Sequence, residues 1–227
     1  MKKSLFTMEH TRQLTADTYE VILSGDTSAI TAPGQFVNID MPGHFLRRPI
    51  SICNWTDEAL MMLVKVVGVG THDLVRWVPG EELDVLTGLG NGFNMDIPSE
   101  HPVLAGGGIG IAPLYGLAQR MLEKGMTPTV ALGFRTQKDI YYLDEFAKLG
   151  CRLLVATEDG SAGTKGFVTD CIKAVHSLPQ LKDGLFSFEA RMGCGCGACM
   201  GCTIPTRDGY KRVCKDGPIL YKEEIVW

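Results

Sequence analysis

The 227-residue chain contains no apolar run that approaches the roughly 18–20 residues a membrane-spanning helix needs. Its opening stretch, MKKSLFTMEHTRQL, has two lysines but no apolar core before charged residues return, which argues against a secretory signal. Neither charge sign dominates. The 22 Lys and Arg stand against 26 Asp and Glu, a formal net charge of −4, so there is no electrostatic case for nucleic acid or an anionic membrane surface. Internal repeats and low-complexity linkers are missing too. What remains is 45% hydrophobic and 21% charged, an ordinary globular composition. The length suits one large domain, or two small ones with an appendage. The expected location is the cytoplasm.

That location gives the eight cysteines their meaning. In a reducing compartment clustered thiols point to metal or redox chemistry rather than to a disulfide framework. Cys53, Cys151 and Cys171 stand alone and are expected as small buried hydrophobes. The other five crowd into residues 194–214. Cys194, Cys199, Cys202 and Cys214 form C-x4-C-x2-C-x11-C, and the first three match the plant-type [2Fe–2S] spacing, in which a distant fourth cysteine completes the set. Each of two irons needs two thiolates beyond the bridging sulfides, and soft thiolate suits such clusters. Gly193, Gly195, Gly197 and Gly201 permit the unusual torsions of a loop that brings amides close to sulfur. A structural zinc site is the rival, but its signature is a pair of C-x2-C knuckles and only one is present. Using Cys196 in place of Cys194 gives C-x2-C-x2-C, closer to a bacterial [4Fe–4S] run, yet the continuing C-x3-C-P is absent. Cys196 is therefore read as a non-ligand.

Residues 1–97 read as β. TYEVILSG, GQFVNIDM, RRPISICN, LMMLVKVV and ELDVLTGL are short apolar or alternating runs separated by APG, MPG and VPGEE turns, the pattern of a closed antiparallel barrel or a sandwich. THDLVRWV suggests a short helix. From residue 102 the pattern becomes β-α-β-α-β: PVLAGG, the helix of GIGIAPLYGLAQRMLEKG, TPTVALGF, the helix of IYYLDEFAKLG, and CRLLVATED. This predicts a parallel sheet with crossover helices. FVTDCIKAVHSL reads as a further helix and GLFSFEA as a last strand. The tail from residue 191 is too small for a core of its own and needs a metal staple.

LAGGGIGIAPL (104–114) follows a strand and opens a helix, where exposed amides can hold a diphosphate. Its match to G-x-G-x-x-G is imperfect, and a tight turn of any α/β domain reads the same way. TEDGSAGTKG (157–166) lies beyond another strand, on the same ligand-binding edge. RRPISI (47–52) is either an edge strand with a solvated arginine pair or a phosphate fork followed by a hydroxyl.

Taken in order, GQF (34–36), LRRPISI, VGVGT (67–71), GLGNGF (88–93), GGGIGIAPL, EDGSAGTKG, EARMGCGCGACMGC and VCKDGPIL resemble the electron-transfer subunits of class 1B dihydroorotate dehydrogenases, members of the ferredoxin-reductase-like flavoproteins. The resemblance covers nearly the whole chain, and its most specific part is the cysteine motif. It implies a multidomain α+β protein: an antiparallel FAD-binding β-barrel over 1–98, a shortened parallel-sheet NAD-binding α/β domain over 99–190, and a small [2Fe–2S] domain over 191–227. Arg48, Pro49, Ile50 and Ser51 would hold the flavin and its diphosphate, with Lys65, Val66 and Val67 beside it and Gly70 and Thr71 at the diphosphate or adenylate. Gly106, Gly107, Gly108, Gly110, Asp159 and Gly160 would line the nicotinamide nucleotide. Cys194, Cys199, Cys202 and Cys214 would ligate the cluster.

The implied activity is an electron relay in pyrimidine biosynthesis. An FMN-containing catalytic partner oxidises dihydroorotate, and electrons pass through the cluster and FAD to NAD⁺, in an assembly of two copies of each subunit. The same architecture also serves sulfide dehydrogenases and ferredoxin:NADP reductases, and a zinc-stapled interaction module is the reading from another class. One departure stands out. The family's additional strand ending in Cys-Gly-Pro, and the helix after it, do not fit between TKG and EARM here. This predicts weakened or absent NAD chemistry.

Overall fold

Alternation of apolar and polar residues builds the first half of the molecule. In the computed structural model, which describes residues 1–173 and 183–226, ELDVLTGL forms a strand, β6 (Glu82–Leu89), with Leu83, Val85, Thr87 and Leu89 buried and the residues between them more exposed. Five earlier strands share its sheet: β1 (Lys2–Gln13), β2 (Thr18–Gly25), β3 (Phe36–Ile39), β4 (Arg48–Trp55) and β5 (Ala59–Lys65). They pair antiparallel in the order β1-β2-β5-β4-β3-β6 and close as β6 meets β1, so the structure is a barrel and not a sandwich. Closure leaves no free edge. Phe6, Met8, Leu23, Ile39, Leu60 and Met62 fill its interior. A short helix, α1 (Val69–Leu74), follows β5. The opening stretch that does not read as a signal is the barrel's longest strand.

The second half follows another rule. A strand covered on both faces reads as an unbroken apolar run. β8 (Thr129–Phe134) is such a strand, with all six residues buried. It lies between β7 (Val103–Gly107) and β9 (Arg152–Thr157), and a two-residue strand, β10 (Thr164–Lys165), extends the parallel sheet to the order β10-β9-β8-β7. Among the described residues β7 is an edge. Helices α2 (Ala112–Glu123), α3 (Leu143–Lys148) and α4 (Val168–Lys173) flank the sheet. FVTDCIKAVHSL continues past Lys173 into residues 174–182, outside the described part.

Helix α2 also ties the two halves together. A Cβ on Gly116 would sit 2.5 Å from the Cys53 carbonyl of β4, so only glycine permits this approach. Arg120 stacks 3.5 Å over the Trp55 ring and bonds Asn54 Oδ1 at 3.0 Å.

GLFSFEA departs from expectation. Its strand, β11 (Leu185–Ser187), pairs antiparallel with β14 (Ile219–Tyr221) and not with the parallel sheet. Between them lies the hairpin of β12 (Thr203–Thr206) and β13 (Gly209–Arg212). The only buried apolar cluster of this lobe among the described residues joins Cys202, Val213 and Cys214 to Phe36 and Leu89 of the barrel. Too few apolar residues lie between 183 and 226 to close a core, so the lobe borrows one.

Candidate functional site

The residues of RRPISI take separate tasks. Arg47 is committed to the barrel. It pairs with Asp84 at 2.9 Å and Asp40 at 3.3 Å and donates to the Asn38 and Asp84 carbonyls. Burial pushes the Asp84 carboxyl up, but hydrogen bonds from Lys3 and Arg47 outweigh it and hold the group below its ordinary range. Arg48 points the other way, onto the first turn of α1. Its guanidinium lies so close over Gly70 that a Cβ there would meet Nε at 1.8 Å. It donates to the Leu46 carbonyl and to His44 Nδ1, leaving the rest of its fork for other acceptors.

Thr71 closes the VGVGT turn. Its Oγ1 accepts from the Val67 and Gly68 amides at 3.0 and 3.3 Å. Phe45 (100% exposed), Val67 (78%) and Val69 (70%) leave apolar surface bare on the two segments that flank Arg48. A guanidinium packed over Gly70 with N–H donors to spare, and an apolar surround, suit the diphosphate and ring of a flavin. Ile50 and Val66 pack against the barrel core, while Pro49 and Ser51 pair in register with Asn38 and Phe36.

A cleft of about 290 Å³ opens where the carboxyl end of the parallel sheet faces the barrel. The sheet contributes Gly107, Gly108, Ile109, Gly133, Phe134, Arg135 and Glu158, and the barrel contributes Thr15, Asp17, Thr18 and Lys65. Ligands of open α/β sheets bind at this edge. Tyr141 steadies the glycine turn by donating to the Gly108 carbonyl at 2.6 Å. The other expected residues lie outside the lining. Gly106 is where the turn packs, since a Cβ there would meet Leu114 Cδ1 at 2.7 Å and the Gly110 carbonyl at 3.0 Å. Asp159 shapes its own loop, accepting from the Ser161 amide and hydroxyl at 2.9 and 2.6 Å, with Gly160 beside it at φ 77°.

The cysteines fall into two pairs. Cys199 Sγ accepts from the Cys194 amide at 3.4 Å and the Gly201 amide at 3.5 Å, and Cys194 Sγ accepts from the Cys199 amide at 3.4 Å. In the second pair, Cys202 Sγ accepts from the Cys214 amide at 3.4 Å. The Cys199 amide draws the Cys194 thiol down to about 6. Burial and the neighbouring Cys202 push Cys214 up to about 12. Among the described residues no three metal-binding side chains converge on one point. Two pairs suit two irons taking two thiolates each. Cys196 is exposed, and its amide and thiol also hydrogen-bond the Cys194 sulfur. Cys53 and Cys171 are buried as expected, and Cys151 is half-buried.

Contacts distant in sequence place this lobe. Asn38 Nδ2 donates to the Cys194 carbonyl at 3.3 Å, and a Cβ on Gly195 would lie 2.3 Å from that nitrogen. Asn38 is itself the register partner of Pro49, next to Arg48. The cysteine loop thus rests one strand away from the flavin candidate, and adjacent strands lie about 5 Å apart. Asn91, from GLGNGF, donates to the Ile219 carbonyl at 2.7 Å and accepts from the Ile219 amide at 3.1 Å. Arg212 clamps the loop through Asp216 and the Gly197 carbonyl. No spacing in the sequence announces Asn38, His44 or the barrel's share of the cleft.

A six-stranded antiparallel barrel, a parallel sheet facing it across a cleft and an appended cysteine lobe define a ferredoxin-reductase-like flavoprotein. Residues 104–196 match the oxidoreductase NAD-binding domain, and residues 189–226 match the iron–sulfur cluster binding domain of dihydroorotate dehydrogenase B. The chain is 38% identical to the dihydroorotate dehydrogenase B (NAD⁺) electron transfer subunit of Geobacillus sp. (strain WCH70), covering 100% of this chain and 99% of the relative. It is 37% identical to the subunit of that name from Fusobacterium nucleatum subsp. nucleatum, covering 99% of each. A chain from the solved structure of an NADH-dependent reduced ferredoxin-NADP oxidoreductase superposes with a TM-score of 0.88 at 30% identity, over 99% of this chain and 90% of that one. The chain belongs to the family of dihydroorotate dehydrogenase B (NAD⁺) electron transfer subunits. The alignment with the Geobacillus subunit runs over 256 positions although this chain has 227 residues, in line with the short segment noted above.

Proposed function

We propose that this chain relays electrons from a dihydroorotate-oxidising, FMN-containing partner to NAD⁺, as one half of a cytoplasmic assembly with two copies of each subunit. As an electron transfer subunit the chain works with a catalytic partner. FAD, a [2Fe–2S] cluster and NAD are its cofactors. When bound, the cluster supplies one-electron transfer and the flavin exchanges between one-electron and hydride chemistry.

The chain's own residues do the positioning. Arg48 offers its fork to the flavin diphosphate, Gly70 keeps that fork accessible, and Pro49, Ile50 and Ser51 present the strand on which the ring rests. Lys65, Val66 and Val67 run beside it, with Thr71 fixing the turn. Cys194 with Cys199, and Cys202 with Cys214, would each hold one iron. Gly107 and Gly108 offer backbone to the nicotinamide nucleotide, while Gly106, Gly110, Asp159 and Gly160 shape the two loops that admit it. The barrel and sheet parts divide near residue 98, and the cluster part takes in β11 as well as the residues from 191 onward, so its start lies before the expected 190. No acid or base of this chain touches orotate.

The observation that carries the reading is the Asn38 contact. It lays the cysteine loop against β3, the strand paired with Arg48–Ser51, which supports electron exchange between the groups the two would hold. Co-purification of the native assembly, with analysis of flavin, iron and sulfide, tests it. A complex that lacks dihydroorotate-dependent NAD⁺ reduction refutes it.

The likeness to the ferredoxin-NADP oxidoreductase chain favours a second reading, service to another partner in the same fold. Reduction of NADP⁺ in preference to NAD⁺ would select it. A colourless, zinc-containing protein would refute both.

A further inference from the structure

The Arg48 guanidinium is held before any ligand arrives. Its Nη2 lies 2.9 Å from His44 Nδ1, and His44 Nε2 lies 2.8 Å from Asp73 Oδ2 on α1. Asp73 Oδ1 takes a second imidazole, His72, at 3.2 Å. Arginine offers only donors, so His44 Nδ1 must present its lone pair. The proton of the neutral ring then sits on Nε2 and is donated to Asp73. Hydrogen bonds from His44 and then His72 hold the Asp73 carboxyl below its ordinary range, so it stays an acceptor.

We infer that His44 is a positioning residue that sets Arg48 in its anion-binding pose, and that it does so only as the neutral imidazole. The inference rests on the reading of Arg48 as the flavin diphosphate anchor. A second proton on His44 would put an N–H against a guanidinium that has no acceptor, and Arg48 would keep only its bond to the Leu46 carbonyl. The charged groups around His44 are Asp73 and His72 on α1 and Arg48 on β4. Arg47 is tied to Asp40 and Asp84 and offers no substitute. The ordering of a rotamer-rich side chain is then supplied by the fold and not by the ligand, which raises affinity.

The test is titration of flavin-stripped protein with FAD, followed by quenching of flavin fluorescence. His44→Ala is expected to weaken FAD about 10-fold, the loss of a hydrogen bond to a charged group. His44→Gln can accept from Arg48 and donate to Asp73, and should restore most of that affinity. Circular dichroism confirms that each variant is folded.

His44→Ala binding as tightly as the parent, while Arg48→Ala loses FAD, overturns the inference and leaves the site reading standing. Failure of His44→Gln to recover the affinity lost in His44→Ala overturns it as well. Unchanged affinity in Arg48→Ala removes the site reading and the inference together.

Discussion

The barrel and the cysteine lobe solve the same problem with opposite means. The barrel buries sixteen residues in one continuous cluster and closes its own edges. The lobe has five buried residues in its cluster; two of them are candidate iron ligands and two belong to the barrel. Apolar burial contributes about 1.5–3 kcal/mol per large side chain, so the barrel can hold without cofactors and the lobe cannot. What the lobe gains is proximity: with no core to accommodate, its loop lies directly on Asn38.

The sharpest way to break the contrast is to remove thiols one at a time. Serine at Cys194, Cys199, Cys202 or Cys214 should abolish the cluster, read as lost iron and sulfide, and expose residues beyond 183 to protease while the barrel's thermal transition persists. Cys196→Ser should keep the metal. Loss in Cys196→Ser with retention in Cys194→Ser would reverse the ligand assignment.

The next largest effect separates neighbouring arginines. Arg48→Ala should lower FAD affinity by about 100-fold and leave the barrel's stability unchanged, since a bidentate charged contact contributes about 3 kcal/mol. Arg47→Ala should do the opposite. It strips Asp84 and Asp40 of their partner, costs about 1–3 kcal/mol of barrel stability, and spares FAD. Equal flavin loss in both would mean that the two side chains are not divided as the geometry divides them.

The parallel sheet stands between these extremes, with β7 at its edge among the described residues and no Cys-Gly-Pro following. Hydride transfer needs close alignment, and a small misplacement costs about 100-fold in rate. Stopped-flow mixing with NADH is therefore expected to reduce the bound flavin more slowly than dithionite does. Fast, saturable reduction would show that the shorter segment is harmless.

The smallest effect lies at the seam between barrel and sheet. Tyr142 donates to Glu20 Oε2 at 2.6 Å, and Arg12 bridges Glu20 and Glu145. Burial pushes the Glu20 carboxyl up, but hydrogen bonds from Arg12 and Tyr142 outweigh it and hold it below its ordinary value. A depressed carboxyl adds stability above its unfolded pKa, and that stability is lost as pH falls through the folded one. Acid titration below about pH 4 should loosen the seam. Tyr142→Phe should cost about 1 kcal/mol at neutral pH and flatten that acid response. An unchanged acid transition would place the sensitivity elsewhere.

Much of this was legible in the chain before any coordinates. Alternation in TYEVILSG and ELDVLTGL, and the unbroken apolar run of TPTVALGF, mark strands because their burial is a local, periodic property. The spacing of Cys194, Cys199 and Cys202 marks a cluster loop because three ligands on one short segment leave their signature in sequence. KKSLFTMEHTRQ did not announce a strand, since nine of its twelve residues are polar and its pairing with β6 spans most of the barrel. GLFSFEA was legible as a strand, but its partner was not.

The sequence by itself determined the elements, the ligand spacing and, through its ordered motifs, the family. Only the tertiary structure decided how those pieces serve one another. It decided that Arg47 is spent on the barrel while Arg48 turns away onto Gly70, that Asn38 sets the cysteine loop against β3 beside β4, that Asn91 pins the lobe, and that among the described residues β7 lies at an edge. The physical reason is range. Periodicity and spacing are fixed within a few residues, whereas the Asn38–Cys194 contact joins positions 156 residues apart, and it exists only once the barrel has closed.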